Sequence, residues 1–499
     1  MVEHSAEADT QSPGTAGAGR VRSTWLVVLA ACAGQFLVVL DVSVVNVALP
    51  AMRSGLGMDA HQLQWVVNTY TLTFAGFMLL GGRAGDVFGR KRVFLAGLGL
   101  FTAASLAGGL AAEPWHLLTA RAVQGVGAAV LAPSTLTLLT TSVPEGPARA
   151  RAIGTWTAVG AGGGAAGGFV GGVLTDALSW RWVLLVNVPI GVLVLLAVAL
   201  RLGGDRTGGG GPSAGGGGKM DVPGAVLVTA GLGTLAYGIV QTEAIGWSET
   251  ATLVPLLGGP VLLGLFVAVE ARARAPLMPL RLFRLPSVPA ANAAMFVCGA
   301  ALVSSWYFVS LYMQNVLLFT PLQAGLGFLP HSLAVVAGSK LAPRLMHPLG
   351  ARNTALTGVT LSASGFLWYG LAMGADGSYA GTVLGPGVTA MLGTGLLATP
   401  LASLATSGAP YGDAGVVSAM VNTSRTMGGS LGLAVLSTVA AGRITGDTPD
   451  ALAPGYALAF RTGSAVLAGC LLLILLTLPA EGRRPDRAPE GAPEGTPEG

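Results

Sequence analysis

The sequence predicts an all-α protein that crosses a membrane many times, and three observations carry that prediction. Of its 499 residues 52% are hydrophobic and only 10% are charged, against roughly a quarter charged in a soluble globular domain. Mean hydropathy is +0.67. The apolar residues also fall into blocks of about 20, the length that carries a helix across a hydrocarbon core of about 30 Å. The charges gather in the short stretches between them. Fourteen blocks fit this template: 24–50, 62–82, 93–112, 115–140, 149–176, 182–202, 222–243, 252–269, 287–316, 321–345, 353–372, 378–403, 413–441 and 456–478.

Taken in order, residues 1–22 are polar and small, the pattern of a disordered cytoplasmic N-terminus. They lack the basic start and cleavage pattern of a signal peptide, so the first block reads as a retained span. Residues 23–203 hold six blocks and read as an N-terminal six-helix bundle. Residues 204–220 form a Gly-rich cytoplasmic linker. Its GDRTGGGGPSAGGGGK resembles a phosphate loop only superficially, because a Ser and a Met stand where that motif needs Gly and Ser or Thr. A flexible tether is the expectation, so shortening the run 208–218 should leave the protein's activity nearly unchanged. Residues 221–270 add two helices, 271–286 form a basic cytoplasmic loop, and 287–479 hold six more blocks as a C-terminal bundle. The Pro-rich 480–499 read as a disordered cytoplasmic tail.

Basic residues gather on one side of this count, the other holding little beyond Arg53, Arg181 and Arg443, which places both termini in the cytoplasm of a cell-membrane protein. That bias accounts for the net charge of +4 without nucleic acid. Cys32, Cys298 and Cys470 each stand alone in separate blocks and read as packing residues. The five His are scattered, no metal-ligand spacing or nucleophile with its base appears, and no cofactor is expected. An enzyme is therefore disfavoured. With no nucleotide-binding loop, energy must come from an ion gradient.

Several residues stand out against so apolar a background. Asp41 sits mid-way along the first block, where an ionised carboxylate is expensive, so it is suited to alternate between protonated and ionised forms. Arg121 is equally costly in the fourth block, and Gln124, three residues on, shares its helix face. In GAGGGAAGGFVGG, Gly160, Gly164, Gly168 and Gly172 are spaced by four, as are Gly163, Gly167 and Gly171. Two adjacent ridges without side chains would let a facing helix approach to backbone contact. Trp65, Asn68, Tyr70, Trp306, Tyr307, Tyr312, Gln314 and Asn315 would line a broad apolar pocket with a few hydrogen-bonding groups, or form an aromatic belt; Asn46, Gln124, Asn422 and Arg425 are further candidates to line that pocket.

The loop GGRAGDVFGRKRVF at 81–94 sets Asp86 against four basic residues. A positive-inside loop explains the Arg and Lys but not the Asp or the regular glycines. This loop resembles the signature of the major facilitator superfamily, through Gly82, Asp86, Gly89, Arg90 and Lys91, with Val87 where a basic residue is usual. The resemblance implies two six-helix bundles, and a latch that holds them in one facing state. RAVQGVGAAVLAP at 121–133 is similar to the family's fourth-helix motif, which implies a part for Arg121 in proton coupling.

LDVSVVNVALP at 40–50, which contains Asn46, and SWRWVLLVNVPIG at 179–191 resemble the fourteen-helix drug/proton antiporters of that superfamily. So does DAGVVSAMVNTSRTMGGSLG at 413–432, which contains Asn422 and Arg425. The glycine run fits their fifth-helix signature through Gly154, Gly163, Gly167, Gly171 and Gly172, with Gly168 where Pro is usual. The resemblance implies a monomer that exports amphipathic drugs, antibiotics or secondary metabolites in exchange for protons. An importer or uniporter of a small nutrient shares the fold, but would give no reason for the glycine ridge.

Overall fold

The computed structural model describes residues 16–143, 147–201, 221–273, 276, 278, 280–285, 287–407 and 414–478. Every regular element among the described residues is helical. The first half comprises α1 (Ala16–Leu56), α2 (Ala60–Phe88), α3 (Arg90–Gly109), α4 (Pro114–Ser142), α5 (Pro147–Ala177), and the short α6 (Trp182–Leu185) continued by α7 (Asn187–Arg201). Local chemistry sets several of these limits. Asp59 caps α2 in a reciprocal box, its carboxylate accepting from Gln62 N at 2.6 Å while Gln62 Oε1 accepts from Asp59 N at 3.2 Å. Gly89 separates α2 from α3 with φ of 88°, a left-handed conformation that glycine adopts without strain.

A pair follows, α8 (Val222–Ile245) and α9 (Thr250–Arg272), packed against each other. The second half holds α10 (Ser287–Leu311), which ends in a π-helical turn at Tyr312–Val316, then α11 (Pro321–Gly327), α12 (Leu329–Ala372), α13 (Gly385–Ser407), α14 (Ala414–Ala441) and α15 (Pro449–Thr477). A second reciprocal box starts α11, where Thr320 Oγ1 accepts from Gln323 N. The spans expected at 321–345 and 353–372 appear as α11 with one arm of α12, and the other arm of α12. Gly350, with φ of 79°, makes the kink between the arms.

Ten helices among the described residues are long and apolar enough to cross a membrane. α2, both arms of α12 and α14 fall short of that apolarity. The reason is visible for α2 and α14, which bury Gln64, Asn68, Thr71, Thr423 and Ser430 inside the protein rather than facing lipid.

The two halves repeat one arrangement. The first and fifth helices of each six pack tightly together: α1 with α5, and α10 with α14. Across the halves, α2 meets α14 and α5 meets α11, which are the second-to-fifth contacts of a pseudo-twofold pair, and α1 meets α10 on the axis. The α8–α9 pair leans on α2 and α14. A continuous apolar core joins the halves from Leu40 and Val44 of α1 through Phe308, Tyr312 and Phe460.

The helix limits differ in places from those expected. α1 begins at Ala16, inside the stretch read as a tail. The basic stretch 271–286 contains a 3-10 turn at Leu280–Arg284. The linker at 204–220 and the tail at 480–499 lie outside the described residues.

Candidate functional site

The sequence isolates Asp41 and Arg121 as two expensive charges 80 positions apart; folding makes them one pair. Arg121 Nη1 donates to Asp41 Oδ2 at 2.6 Å, with the side chains 2% and 0% exposed. A buried ion pair compensates its desolvation only when its remaining polar atoms are satisfied, and this one is richly supported. Gln124 Nε2 and Asn187 Nδ2 donate to Asp41 Oδ1 at 2.8 and 3.0 Å. Both amides also donate to Ser105 Oγ, at 3.2 and 3.0 Å. Ser105 in turn donates to Leu184 O at 2.8 Å. Arg121 donates through Nε to Val66 O at 3.2 Å and through Nη1 to Gln124 Oε1 at 2.8 Å. Its guanidinium lies 4.2 Å from the centre of the Tyr70 ring, a cation–π contact strengthened by burial.

The network thus ties α1, α2, α3, α4, α6 and α7 together. Ser105 and Asn187 were not singled out in the sequence, because a lone Ser or Asn in an apolar span is ordinary until its partners are known. Gln124 and Tyr70, expected to line a pocket, belong to this charge network.

The two glycine rows have different partners. A Cβ on Gly163 would lie 3.2 Å from Phe36 O, and one on Gly171 would lie 2.9 Å from Val44 Cα; Gly167 faces Ser43. That row seats α5 on α1 within one bundle. In the other row, a Cβ on Gly168 would lie 3.2 Å from Gly325 O, and one on Gly172 2.8 Å from Leu322 Cα. These two glycines press α5 onto α11 of the other bundle, and Gly325 reciprocates by facing Gly168 O. Gly160 and Gly164 meet only side chains of Gln35, Val39 and Ser43, with 3.5 Å to the nearest atom at Gly164. Gly164 therefore has room that the regular spacing did not reveal. The side-chain surroundings of Gly154, within α5, lie outside the described residues.

The other polar candidates divide between the bundle interface and the interior. Ser310 Oγ donates to Asn46 O at 2.6 Å, and Gln314 Nε2 donates to Val47 O at 2.9 Å, so α10 is bonded to the backbone of α1. Nearby, Arg53 and Asp447 pair at 3.2 Å on the exposed rim, a contact worth little by itself. Further along, Ser430 Oγ donates to Asn68 Oδ1 at 3.3 Å. Asn422 Nδ2 approaches Met78 Sδ at 3.7 Å, while its Oδ1 accepts from Arg425 Nη2 at 2.8 Å. Trp306 stacks on Phe328 beside Gly168, with ring centres 4.6 Å apart. Tyr307 is in the core, and Trp65 packs against Tyr237 of α8. The exposed tryptophans among the described residues are instead Trp25, Trp115, Trp182, Trp247 and Trp368, which suit a belt at the membrane surfaces.

The stretch 81–94, expected as a loop, is helical on both sides of Gly89, with Gly81, Gly82 and Asp86 in the last turns of α2 and Arg90 and Lys91 in the first turn of α3. Its glycines with a geometric reason are Gly89, through its φ, and Gly81, whose Cβ would strike the backbone of Ala129 and Val130 in α4. Gly82 is exposed, with 3.9 Å to the nearest atom. Arg90 is exposed, and Lys91 Nζ reaches Ala199 O at 3.5 Å. The Asp86 side chain lies outside the described residues. Asp86→Asn is expected to shift the carrier between facing states without loss of folding, read as changed cysteine accessibility from each side of the membrane. Unchanged accessibility would remove the latch role.

Two pseudo-symmetric helical bundles meeting along glycine-packed and polar seams, with a charge pair buried in one of them, define a membrane transporter and not an enzyme. Residues 31–433 match the Major Facilitator Superfamily, and the chain belongs to that family. It is 50% identical over 455 residues to the cephamycin export protein of Amycolatopsis lactamdurans, covering 91% of this chain and 92% of the relative. The puromycin resistance protein of Streptomyces alboniger is 35% identical, covering 92% of each chain. The lincomycin resistance protein of Streptomyces lincolnensis is 34% identical, covering 94% and 93%. An auto-inhibited peptide transporter of the POT family superposes with a TM-score of 0.67 over 91% of this chain and 96% of its own, at 16% identity. At that identity the likeness concerns the fold alone.

Proposed function

We propose that this protein exports an amphipathic antibiotic or related secondary metabolite across the cytoplasmic membrane in exchange for protons. Of fourteen spans, with both termini cytoplasmic, twelve form two bundles that rock about a central site and two are added between them in sequence, the whole acting as a monomer. The observation that carries the coupling is the Asp41–Arg121 pair, fully removed from solvent and held by Gln124, Asn187 and Ser105. In this arrangement the carboxylate is already satisfied as an anion.

Protonating Asp41 would cancel the ion pair and leave Arg121 a buried cation without its partner, a state costing about 3–5 kcal/mol. Protonation must therefore go with a rearrangement of α1 against α4. A proton that enters from outside and leaves inside can drive the bundles through their cycle in this way. The export direction, and the choice of an antibiotic-like cargo, rest on the names of the relatives at 34–50% identity over nearly the whole chain.

Energised inverted vesicles test this directly. A panel containing a cephamycin, puromycin and lincomycin is added, and collapse of the pH gradient on addition is followed. At least one compound is expected to discharge the gradient in vesicles that hold the protein and not in those that lack it. Accumulation of every compound without proton movement would overturn the coupling, and movement of none would overturn the cargo class.

A further inference from the structure

An open groove of about 500 Å³ runs between α3 and α4, away from both seams. Its walls are mostly apolar, with Leu100, Ala103 and Ala107 on α3, Trp115 and Val123 on α4 and Ala111 at the turn between them; His116 and Thr119 of α4 are its polar members. Leu100, Leu110, Trp115 and Val123 are exposed, so in a membrane this groove faces lipid. From Leu110 back to Leu100 the helix rises about 15 Å. Half of a hydrocarbon core of about 30 Å is the same length. The groove thus starts at one membrane surface and ends near the midplane, matching the reach of one acyl chain in one leaflet.

The mouth of the groove carries both charges. Glu113 is exposed there, and its Oε2 accepts from Trp115 Nε1 at 3.0 Å. On the other side Arg181 donates to Ala111 O at 2.7 Å and lies over Trp180, 4.5 Å from the ring centre. Those contacts hold the guanidinium beside a residue of the groove wall while using few of its five N–H donors. Guanidinium matches a phosphate in geometry and charge, and a carboxylate attracts an ammonium. Trp115, exposed and bonded to Glu113, is an indole of the kind that favours the membrane interface.

We propose that this groove binds a zwitterionic amino phospholipid, with one acyl chain between α3 and α4, its phosphate at Arg181 and its ammonium at Glu113. The site is separate from the route of the exported molecule. Because the groove floor includes Ala104 and Ala120, the neighbours of Ser105 and Arg121, a bound chain would back the helices that hold the charge network.

The test uses the full-length protein in nanodiscs of mixed phosphatidylethanolamine and phosphatidylglycerol, where both leaflets are present and the result does not depend on orientation. Traces of either lipid with a photoreactive group on the acyl chain are crosslinked, and labelled peptides are mapped. Labelling is expected to concentrate on residues 100–123, with phosphatidylethanolamine preferred by about threefold, the scale of an exposed charge pair. Ala107→Phe fills the groove from an exposed position and should cut this labelling about fivefold or more. Glu113→Gln, at an exposed residue, should bring the two lipids level. Even labelling of all lipid-facing helices, or labelling unchanged by Ala107→Phe, would overturn the site. A preference unchanged by Glu113→Gln would overturn the headgroup assignment, and displacement of the lipid by the exported antibiotic would give the groove to the cargo instead.

Discussion

Asp41→Asn is expected to abolish uphill export while leaving slow exchange down a gradient, and Asp41→Glu to retain partial activity. Asn keeps the shape and can still accept a hydrogen bond, but it cannot take up or release a proton. In inverted vesicles with an imposed pH gradient, the substrate ratio across the membrane should fall to unity. The same variant should also be less stable, because Arg121 is left buried without its carboxylate, at a cost of about 3–5 kcal/mol. Adding Arg121→Gln should recover much of that loss without restoring transport, since the double variant has no buried charge to leave unpaired. Thermal unfolding of the three proteins in detergent separates the two effects. If Asp41→Asn still accumulates substrate with accompanying proton flux, the carrier lies elsewhere.

Bulk at the contact between α5 and α11 should be the second severe change. Gly168→Leu and Gly172→Leu place a side chain where the backbone of Gly325, Pro321 and Leu322 already stands at 2.6–3.2 Å from a Cβ. Closing that seam would then require the bundles to part. Overpacking of this kind costs about 1–3 kcal/mol, so exchange should drop at least tenfold at equal expression. Gly162→Leu is the control, because Gly162 is exposed and a Cβ there meets nothing within 4 Å. Gly164→Ala should also be tolerated, given its 3.5 Å of clearance. Equal transport by all four variants would reduce the glycine spacing to an effect of composition.

These two sites differ in how far they could be read beforehand. The glycine rows were legible because a period of four maps directly onto one helix face. Their assignment to separate partners was not, since it depends on how α5 is turned between α1 and α11. Asp41 and Arg121 were each legible as charges that hydrocarbon should exclude. That they pair, and that Asn187 and Ser105 complete the pair, is a tertiary fact carried by residues up to 146 positions apart. Asn68 and Gln314 are visible as polar residues in spans, yet their side chains bond across the seam between bundles, whereas Asn46 meets that seam only through its backbone carbonyl. The boundary within α12 is legible from the basic residues near it, whereas the left-handed Gly350 that turns one arm into the other without an intervening loop is not.

The α8–α9 pair breaks the symmetry of the two seams. α8 lies against both α2 and α14, and Gly76 of α2 is pressed close to Thr229. The matching contact of α5 with α11 has no such cover among the described residues. One flank is thus backed by a third helix, whereas the other is closed by the direct α5–α11 contact alone. Any sideways opening between the bundles toward the bilayer would then meet less obstruction on the α5–α11 flank, where no third helix has to move.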